Sequence, residues 1–246
     1  MSRVGALDTN CGDQPGAAAQ VLTAHRLFRF YRAAGEEIFA LVGVSLSVDA
    51  GELVAVAGPS GSGKSTLLAL LGGLDEPDGG SVVVDGLVIS HRPETERAAI
   101  RARSVGILFQ YGNLLDHLTV GQNMRLAARL SGTTVAPPDV SGRLAQVGMA
   151  GTENMLPRQL SGGQAARAGL AVALVNDPPV VLADEPTAEL DSGSERQVLG
   201  LLRLAADGGT AVVIASHSPR VLAVCDRVVH LADGQISRID QLGEVR

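Results

Sequence analysis

The nine residues Gly58-Pro59-Ser60-Gly61-Ser62-Gly63-Lys64-Ser65-Thr66 constrain this chain more than any other stretch, because a strand exit, a glycine-rich loop and a helix start have to meet there. Before them, Leu53-Val54-Ala55-Val56-Ala57 is an unbroken apolar run, the pattern of a strand buried on both faces of a parallel sheet. After them come Leu67-Leu68-Ala69-Leu70-Leu71, all good helix formers. Between the two, Gly58, Gly61 and Gly63 permit positive φ and close backbone approach, so successive N–H groups can line an anion-sized cavity. The helix adds its free N–H groups and the positive end of its dipole. Lys64 supplies a compact charge for β/γ-phosphate oxygens, and Ser65 a hydroxyl where a magnesium ion bridging those phosphates would sit. Together they complete the pattern G-x-x-x-x-G-K-[ST]. Lys64 is also the only lysine, the other strongly basic side chains being arginine. A phosphate site calls for a small flexible ammonium rather than a planar fork.

With 246 residues and 46% hydrophobic content, the chain can bury a sizeable core as one large α/β domain or two small ones. Its net charge of −6 argues against a dedicated nucleic-acid binder. With 2% aromatic residues and no Trp, it also lacks a stacking platform for single strands. Cys11 and Cys225 stand far apart with no C-x-x-C spacing, so neither a disulfide framework nor a zinc site is expected, in keeping with a reducing compartment. The first residues lack the apolar segment of a secretory signal, and no run approaches the ~18 to 20 apolar residues that span a bilayer. A soluble chain is the expectation.

Residues 1–19, small, polar and turn-rich, read as a disordered leader, followed by a single domain over 20–246. Val21–Tyr31 and Ile38–Val48 read as an antiparallel pair turned by residues 33–37, and Ser81–Gly86 as a short strand ending in a tight turn. A charged helix over Pro93–Arg103 leads into the strand Ser104–Phe109, which ends at Gln110. From 112 to about 176 the segments are helix-like, broken by Gly132, Pro137-Pro138, Gly148 and Pro157, and form a helical subdomain. The parallel pattern resumes with Val180–Ala183, a helix over Ser194–Ala206 and the strand Ala211–Ala215. A final hairpin pairs Arg227–Leu231 with Gln235–Ile239. No internal repeat occurs.

In an open parallel sheet the C-terminal strand edge is the ligand edge. The strand Val180–Ala183 runs there into Asp184-Glu185, so Asp184 can reach the magnesium held by Ser65. A bound cation offsets the repulsion between the two carboxylates and leaves Glu185 free as base or orienter of an attacking water. Gln110 can contact the magnesium or the water through its carbonyl oxygen. His217, also at the ligand edge, can donate to a γ-phosphate oxygen. Ser161-Gly162-Gly163-Gln164 precedes a helix-like run and forms a second helix start suited to an anion, or a plain serine-capped helix.

As a set, these motifs resemble the ATP-binding subunit of ABC transporters over residues 21–240. The Walker A loop is Gly58–Thr66, the Q-loop stands at Gln110, the signature is Leu160–Gln164, and the Walker B strand ends in Asp184-Glu185. The D-loop Ala188-Glu189-Leu190-Asp191 and the switch His217 follow in order. The resemblance implies a P-loop ABC-ATPase fold of class α/β, with a mainly parallel sheet core, an antiparallel β subdomain and a helical subdomain. It also implies ATP and Mg2+ as cofactors, and a head-to-tail dimer in which the signature of one subunit, and Asp191 of its D-loop, complete the nucleotide site of another. Tyr31 falls where the family places an aromatic against adenine, with Phe30 as its neighbour and alternative. Leu41–Glu52, Gln110–Leu115 and Val175–Pro178 look like the group of lipoprotein-releasing, macrolide-efflux and cell-division ATPases. That likeness implies an integral membrane permease as partner, a location on the cytoplasmic face of the membrane through it, and no nucleic acid.

The sequence departs from the family pattern in three places. Ala165-Ala166 stands for the common glutamines, Val172 for an arginine, and Ala188-Glu189 for Ser-Ala, leaving room for altered dimer communication or a heterodimer. The alternatives to a transporter subunit are an ATPase regulating a cell-wall enzyme through a non-transporting membrane partner, and a soluble ABC ATPase.

Overall fold

The computed structural model describes residues 20–33, 36–132 and 137–242. The expected leader over 1–19 and the tip of the first turn lie outside the described residues. In chain order the elements are β1 (Gln20–Ala33), β2 (Glu36–Asp49), β3 (Leu53–Ala57), α1 (Lys64–Leu71), β4 (Gly79–Val84), β5 (Leu87–Val88), α2 (Glu94–Ser104) and β6 (Val105–Leu108). Then come α3 (Val120–Leu130), α4 (Pro137–Gln146), a 3-10 turn at Pro157–Gln159, α5 (Gly162–Ala173), β7 (Val180–Asp184), α6 (Ser192–Asp207), β8 (Ala211–Ala215), α7 (Pro219–Leu222), β9 (Arg227–Ala232) and β10 (Gln235–Gln241).

Two sheets organise them. One is four-stranded, in the order β2-β1-β4-β5, with every pairing antiparallel. The other has six strands in the order β10-β9-β3-β8-β7-β6, parallel throughout except for the β9–β10 hairpin. β3 lies inside this sheet with all five residues buried, as its unbroken apolar run requires. Its first amide donates to Asp226 Oδ2 at 2.7 Å, and Arg203 grips the same carboxylate at 2.8 and 2.9 Å.

Helix α1 is clasped between the two sheets. Leu67, Leu68, Leu70 and Leu71 are buried against Leu22, Leu27 and Leu41 of the antiparallel sheet and Val54, Val56 and Val213 of the parallel one. At about 2 kcal/mol for each buried leucine, that contact fixes the helix, and with it the loop at its start. A second core lies on the other face of the parallel sheet, where Val198, Leu199 and Leu202 of α6 cover Leu53, Ala55 and Ile214. A third joins α3, α4 and α5 through Met124, Leu144 and Ala168. Helix α5 belongs to both of the last two, since Leu170 packs under the sheet.

The expected elements recur with shifted ends. Pro137-Pro138, read from the sequence as a break, instead opens α4, the helical position that tolerates a missing N–H. Between 112 and 176 the described residues contain helices and no strand, as expected. Cys225 is buried and unpaired, and burial pushes its thiol up to about 12, which keeps it protonated and inert. Among the described residues no helix is long and apolar enough to cross a membrane.

Candidate functional site

The loop between β3 and α1 has glycines where the backbone leaves no alternative. A Cβ on Gly58 would lie 2.2 Å from the Leu231 carbonyl, and one on Gly63 would lie 2.4 Å from that of Ala40. Gly63 is the N-cap of α1, at φ 102°, and no side chain caps the helix. Lys64 folds back over the loop, donating from Nζ to the carbonyls of Gly58 at 2.9 Å and Pro59 at 3.0 Å. Ser62 is buried beneath the loop, with a hydroxyl that has no partner. The result is an uncapped helix end with an ammonium beside it, a cradle for a phosphate group.

The strand order β3-β8-β7-β6 brings the ends of four adjacent strands to one edge. Asp184 closes β7, Glu185 follows it, Gln110 lies just past β6 and His217 just past β8. Glu185 has the left-handed φ of 45°, which a non-glycine residue holds only when its surroundings fix it. They do so here: its amide donates to Ala215 O at 2.9 Å, and Oε2 accepts from Ser216 Oγ at 3.0 Å. Oε1 pairs with His217 Nδ1 at 2.8 Å.

Glu185 is therefore held by two side-chain partners, Ser216 and His217. The pairing also changes what His217 can do. With Nδ1–H donating to Glu185, a neutral ring offers only a lone pair at Nε2. Donation to a γ-phosphate then requires either a second proton or release from Glu185.

Gly58–Gly61, Gly63–Thr66, Gln110, Asp184, Glu185 and His217 line one cavity of about 670 Å3, within the range of small-molecule sites. Tyr31, Ile38 and Phe39 line it too. Tyr31 is preset: its hydroxyl donates to Asp75 Oδ2 at 3.0 Å, and the Arg29 guanidinium lies 4.6 Å from its ring centroid. Arg29 is itself held by both Asp75 oxygens at 2.9 Å. Phe30 lies against Phe39, with ring centroids 6.2 Å apart, and does not line the cavity.

The donor set fits a magnesium nucleotide. The Ser65 hydroxyl, the Asp184 carboxylate and the Gln110 carbonyl offer hard oxygens. Among the described residues no three His, Cys, Asp or Glu side chains gather as a metal cage. The uncapped N–H groups of α1 border the same cavity, where a nucleotide's phosphates would meet them.

The second glycine-rich helix start is elsewhere. Ser161 caps α5 with Oγ accepting from Gln164 N at 3.3 Å, while Gln164 Oε1 accepts from Ser161 N at 2.9 Å. This closed capping box spends both side chains on the helix itself. Gly162 borders a neighbouring groove of about 550 Å3, lined also by Phe109–Leu114, Pro157, Arg158 and Ala188–Leu190, which meets the first cavity at Gln110, Glu185 and Ala188. Gly163 is small for packing, since a Cβ there would lie 2.2 Å from Ser194 Oγ. Asp191, also expected at the nucleotide, caps α6 by accepting from Gly193 N, Ser194 N and Ser194 Oγ at 2.8, 3.0 and 2.7 Å. These bonds, the Ser194 hydroxyl foremost, hold its carboxyl below the usual range.

Several site residues escaped the sequence reading. Phe39 and Ile38 reach the cavity through the β1–β2 register, which sets Tyr31 opposite Ile38 and Phe30 opposite Phe39; two exposed apolar residues beside a polar turn were the available signal. Ser216, buried next to His217, left no signal beyond its neighbour. Tyr111 donates to Glu189 and accepts from Gln110 Nε2 at 3.2 Å, joining the loops after β6 and β7.

Comparison with known proteins matches residues 41–188 to the family described as ABC transporter. The lipoprotein-releasing system ATP-binding protein LolD of Bordetella pertussis is 41% identical over 226 residues, covering 91% of this chain and 98% of LolD. The macrolide export ATP-binding/permease protein MacB of Hyphomonas neptunium is 40% identical over 210 residues, or 85% of this chain, which spans only 33% of MacB. Among solved structures, a dimeric ATP-binding cassette in a post-hydrolysis state bound to ADP and Pi superposes with a TM-score of 0.84 at 33% identity, covering 91% of this chain and 99% of that one.

Proposed function

This chain belongs to the ABC transporter family, as an ATP-binding cassette that hydrolyses ATP, and from that premise we propose that two cassettes close head-to-tail on two Mg-ATP molecules to drive a membrane permease. The observation that carries this reading is an asymmetry within one chain. The phosphate loop, Asp184, Glu185, Gln110 and His217 share a cavity from which Ser161–Gln164 and Asp191 are absent. One chain thus lines its cavity with half of a nucleotide site and carries the other half outside that cavity.

In this reading Tyr31 and Phe39 take the base. Lys64 exchanges the Gly58 and Pro59 carbonyls for phosphate oxygens, and the open N–H groups of α1 take the rest of the phosphate charge. Ser65, Asp184 and Gln110 would hold a magnesium ion, which would supply charge neutralisation to the phosphates. Glu185 orients the attacking water and receives its proton, while the Ser216 and His217 contacts keep its carboxylate aimed. His217, once protonated or released from Glu185, donates to the γ-phosphate. Ser161–Gln164 and Asp191 of a second cassette close the site. The permease partner, and through it a place at the membrane, rest on likeness to LolD and to the ATP-binding part of MacB.

The test is Glu185→Gln, which keeps the shape and removes the base. Hydrolysis should fall by roughly 10²- to 10⁴-fold with ATP binding retained, and ATP should shift the variant from monomer to dimer in analytical ultracentrifugation. A normal turnover rate would remove Glu185 from its role, and a monomer at saturating ATP would remove the two-cassette site. Co-purification of the trapped variant from detergent-solubilised membranes, with mass spectrometry of what it holds, tests the permease.

A further inference from the structure

Helix α6 turns an apolar face to the sheet, with one exception in its first turn. Glu195 is 7% exposed, and it is the only charged residue in the buried set among the described residues. A buried carboxylate is costly unless donors compensate it. Both of its donors come from the segment just after β8: Ser218 Oγ at 3.1 Å to Oε1, and Arg220 Nη1 at 2.8 Å to Oε2.

From there a chain of hydrogen bonds leads to the hydrolytic centre. The Ser218 amide donates to Ser216 Oγ at 3.2 Å, and Ser216 Oγ, 1% exposed, donates to Glu185 Oε2 at 3.0 Å. His217, between the two serines, holds the other Glu185 oxygen. The same turn of α6 is capped by Asp191, and its Ser194 packs on Gly163 at the start of α5.

We propose that Glu195 is a positioning residue for ATP hydrolysis: by anchoring Ser218 it fixes residues 216–218, so that Ser216 and His217 hold both oxygens of Glu185. The proposal rests on the reading of Glu185 as the water-activating group. It also ties the aim of that carboxylate to the turn that carries Asp191 and touches the signature helix. A displacement of α6 when a second cassette docks would reach Glu185 along this path.

A purely structural Glu195, serving only as an acidic residue near a helix start, predicts a lower melting temperature with an unchanged kcat. Positioning predicts that Glu195→Ala lowers kcat roughly tenfold while Kd for a fluorescent ATP analogue stays within about twofold. It also predicts faster hydrogen exchange at the Ser218 amide. Glu195→Gln, which still accepts from Ser218, should recover most of kcat. Ser218→Ala, which leaves Glu195 paired with Arg220, should copy the defect and covers the case in which Glu195→Ala fails to fold. Ser216→Ala should lower kcat, and adding Glu195→Ala to it should lower kcat little further, because both cut one path.

Wild-type kcat in Glu195→Ala or in Ser218→Ala, or fully additive losses with Ser216→Ala, would overturn the proposal. So would a Glu195→Gln variant as slow as Glu195→Ala. If Glu185→Gln hydrolyses ATP normally, the underlying reading fails. If Glu185→Gln is inactive while Glu195→Ala is not, only the positioning role fails.

Discussion

Helices α1 and α5 both begin at a glycine-rich turn with serine and glutamine or lysine nearby, yet the two starts are built for opposite purposes. Gly63 caps α1 without a side-chain bond, and its N–H groups open into the cavity. Ser161 caps α5 inside a complete capping box with Gln164, so side chains of the helix itself serve two of the amides at this end. The first start has no side-chain acceptor; the second has one, Ser161 Oγ, for the Gln164 N–H, and leaves the Gly162 and Gly163 N–H groups outside the box. At α1 the missing cap, the glycine loop and Lys64 together leave N–H groups and a positive charge for a phosphate, whereas at α5 Ser161 already supplies one of the acceptors that a phosphate would be.

The comparison breaks most visibly at Lys64. Lys64→Ala should weaken ATP binding and hydrolysis by about 100-fold or more, measured by fluorescent nucleotide titration and phosphate release, while the melting temperature barely moves. A variant that binds ATP normally would mean that the α1 start does not hold the phosphates.

At α5 the expected effect falls on stability instead. Ser161→Ala removes the cap and should cost about 1 kcal/mol in urea unfolding, whereas Ser161→Gly should cost only a few tenths. Nucleotide affinity of the isolated monomer should stay unchanged in both, and a loss of monomer affinity would put α5 at the chain's own cavity.

The smallest effect is expected beyond the far end of α5. Arg143 of α4 bonds both oxygens of Asp177 at 2.9 and 2.6 Å, and that hydrogen-bonded pairing holds the Asp177 carboxyl below its usual range. A carboxyl lowered on folding contributes above its ordinary value of 3.8, and the contribution is lost as pH falls through the folded value. Because Asp177 is largely exposed, the contribution should be less than about 1 kcal/mol. Asp177→Asn should therefore slightly flatten the acid limb of stability against pH, and an unchanged limb would show the pair to be inert.

The phosphate loop was legible in the sequence because its chemistry is contiguous: strand, glycines, lysine and helix follow one another within the reach of local rules. Gln110, Asp184 and His217 were legible for a related reason, since each ends an apolar strand of one parallel sheet and such ends share an edge. What stayed hidden depends on partners far along the chain. Glu185 and His217 are 32 residues apart, and nothing local announces that they pair. Phe39 joins the cavity only through a cross-strand register, and Glu195 looks like any acidic residue in a first helical turn until the fold brings Ser218 and Arg220 to it. Ser161 was read as an anion site or a plain cap, and the capping box is what the folded helix shows.

Lys64 carries a further consequence, in the domain of covalent chemistry. It is the only lysine, and its amine lies in the nucleotide cavity, bonded to Gly58 and Pro59. Any reagent or enzyme that acylates lysine side chains has one target on this chain, and reaching it neutralises the charge held for phosphate. The arginines that cover the rest of the surface are indifferent to such chemistry. Lysine acylation is thus a one-site event here, and nucleotide bound in the cavity should shield that site.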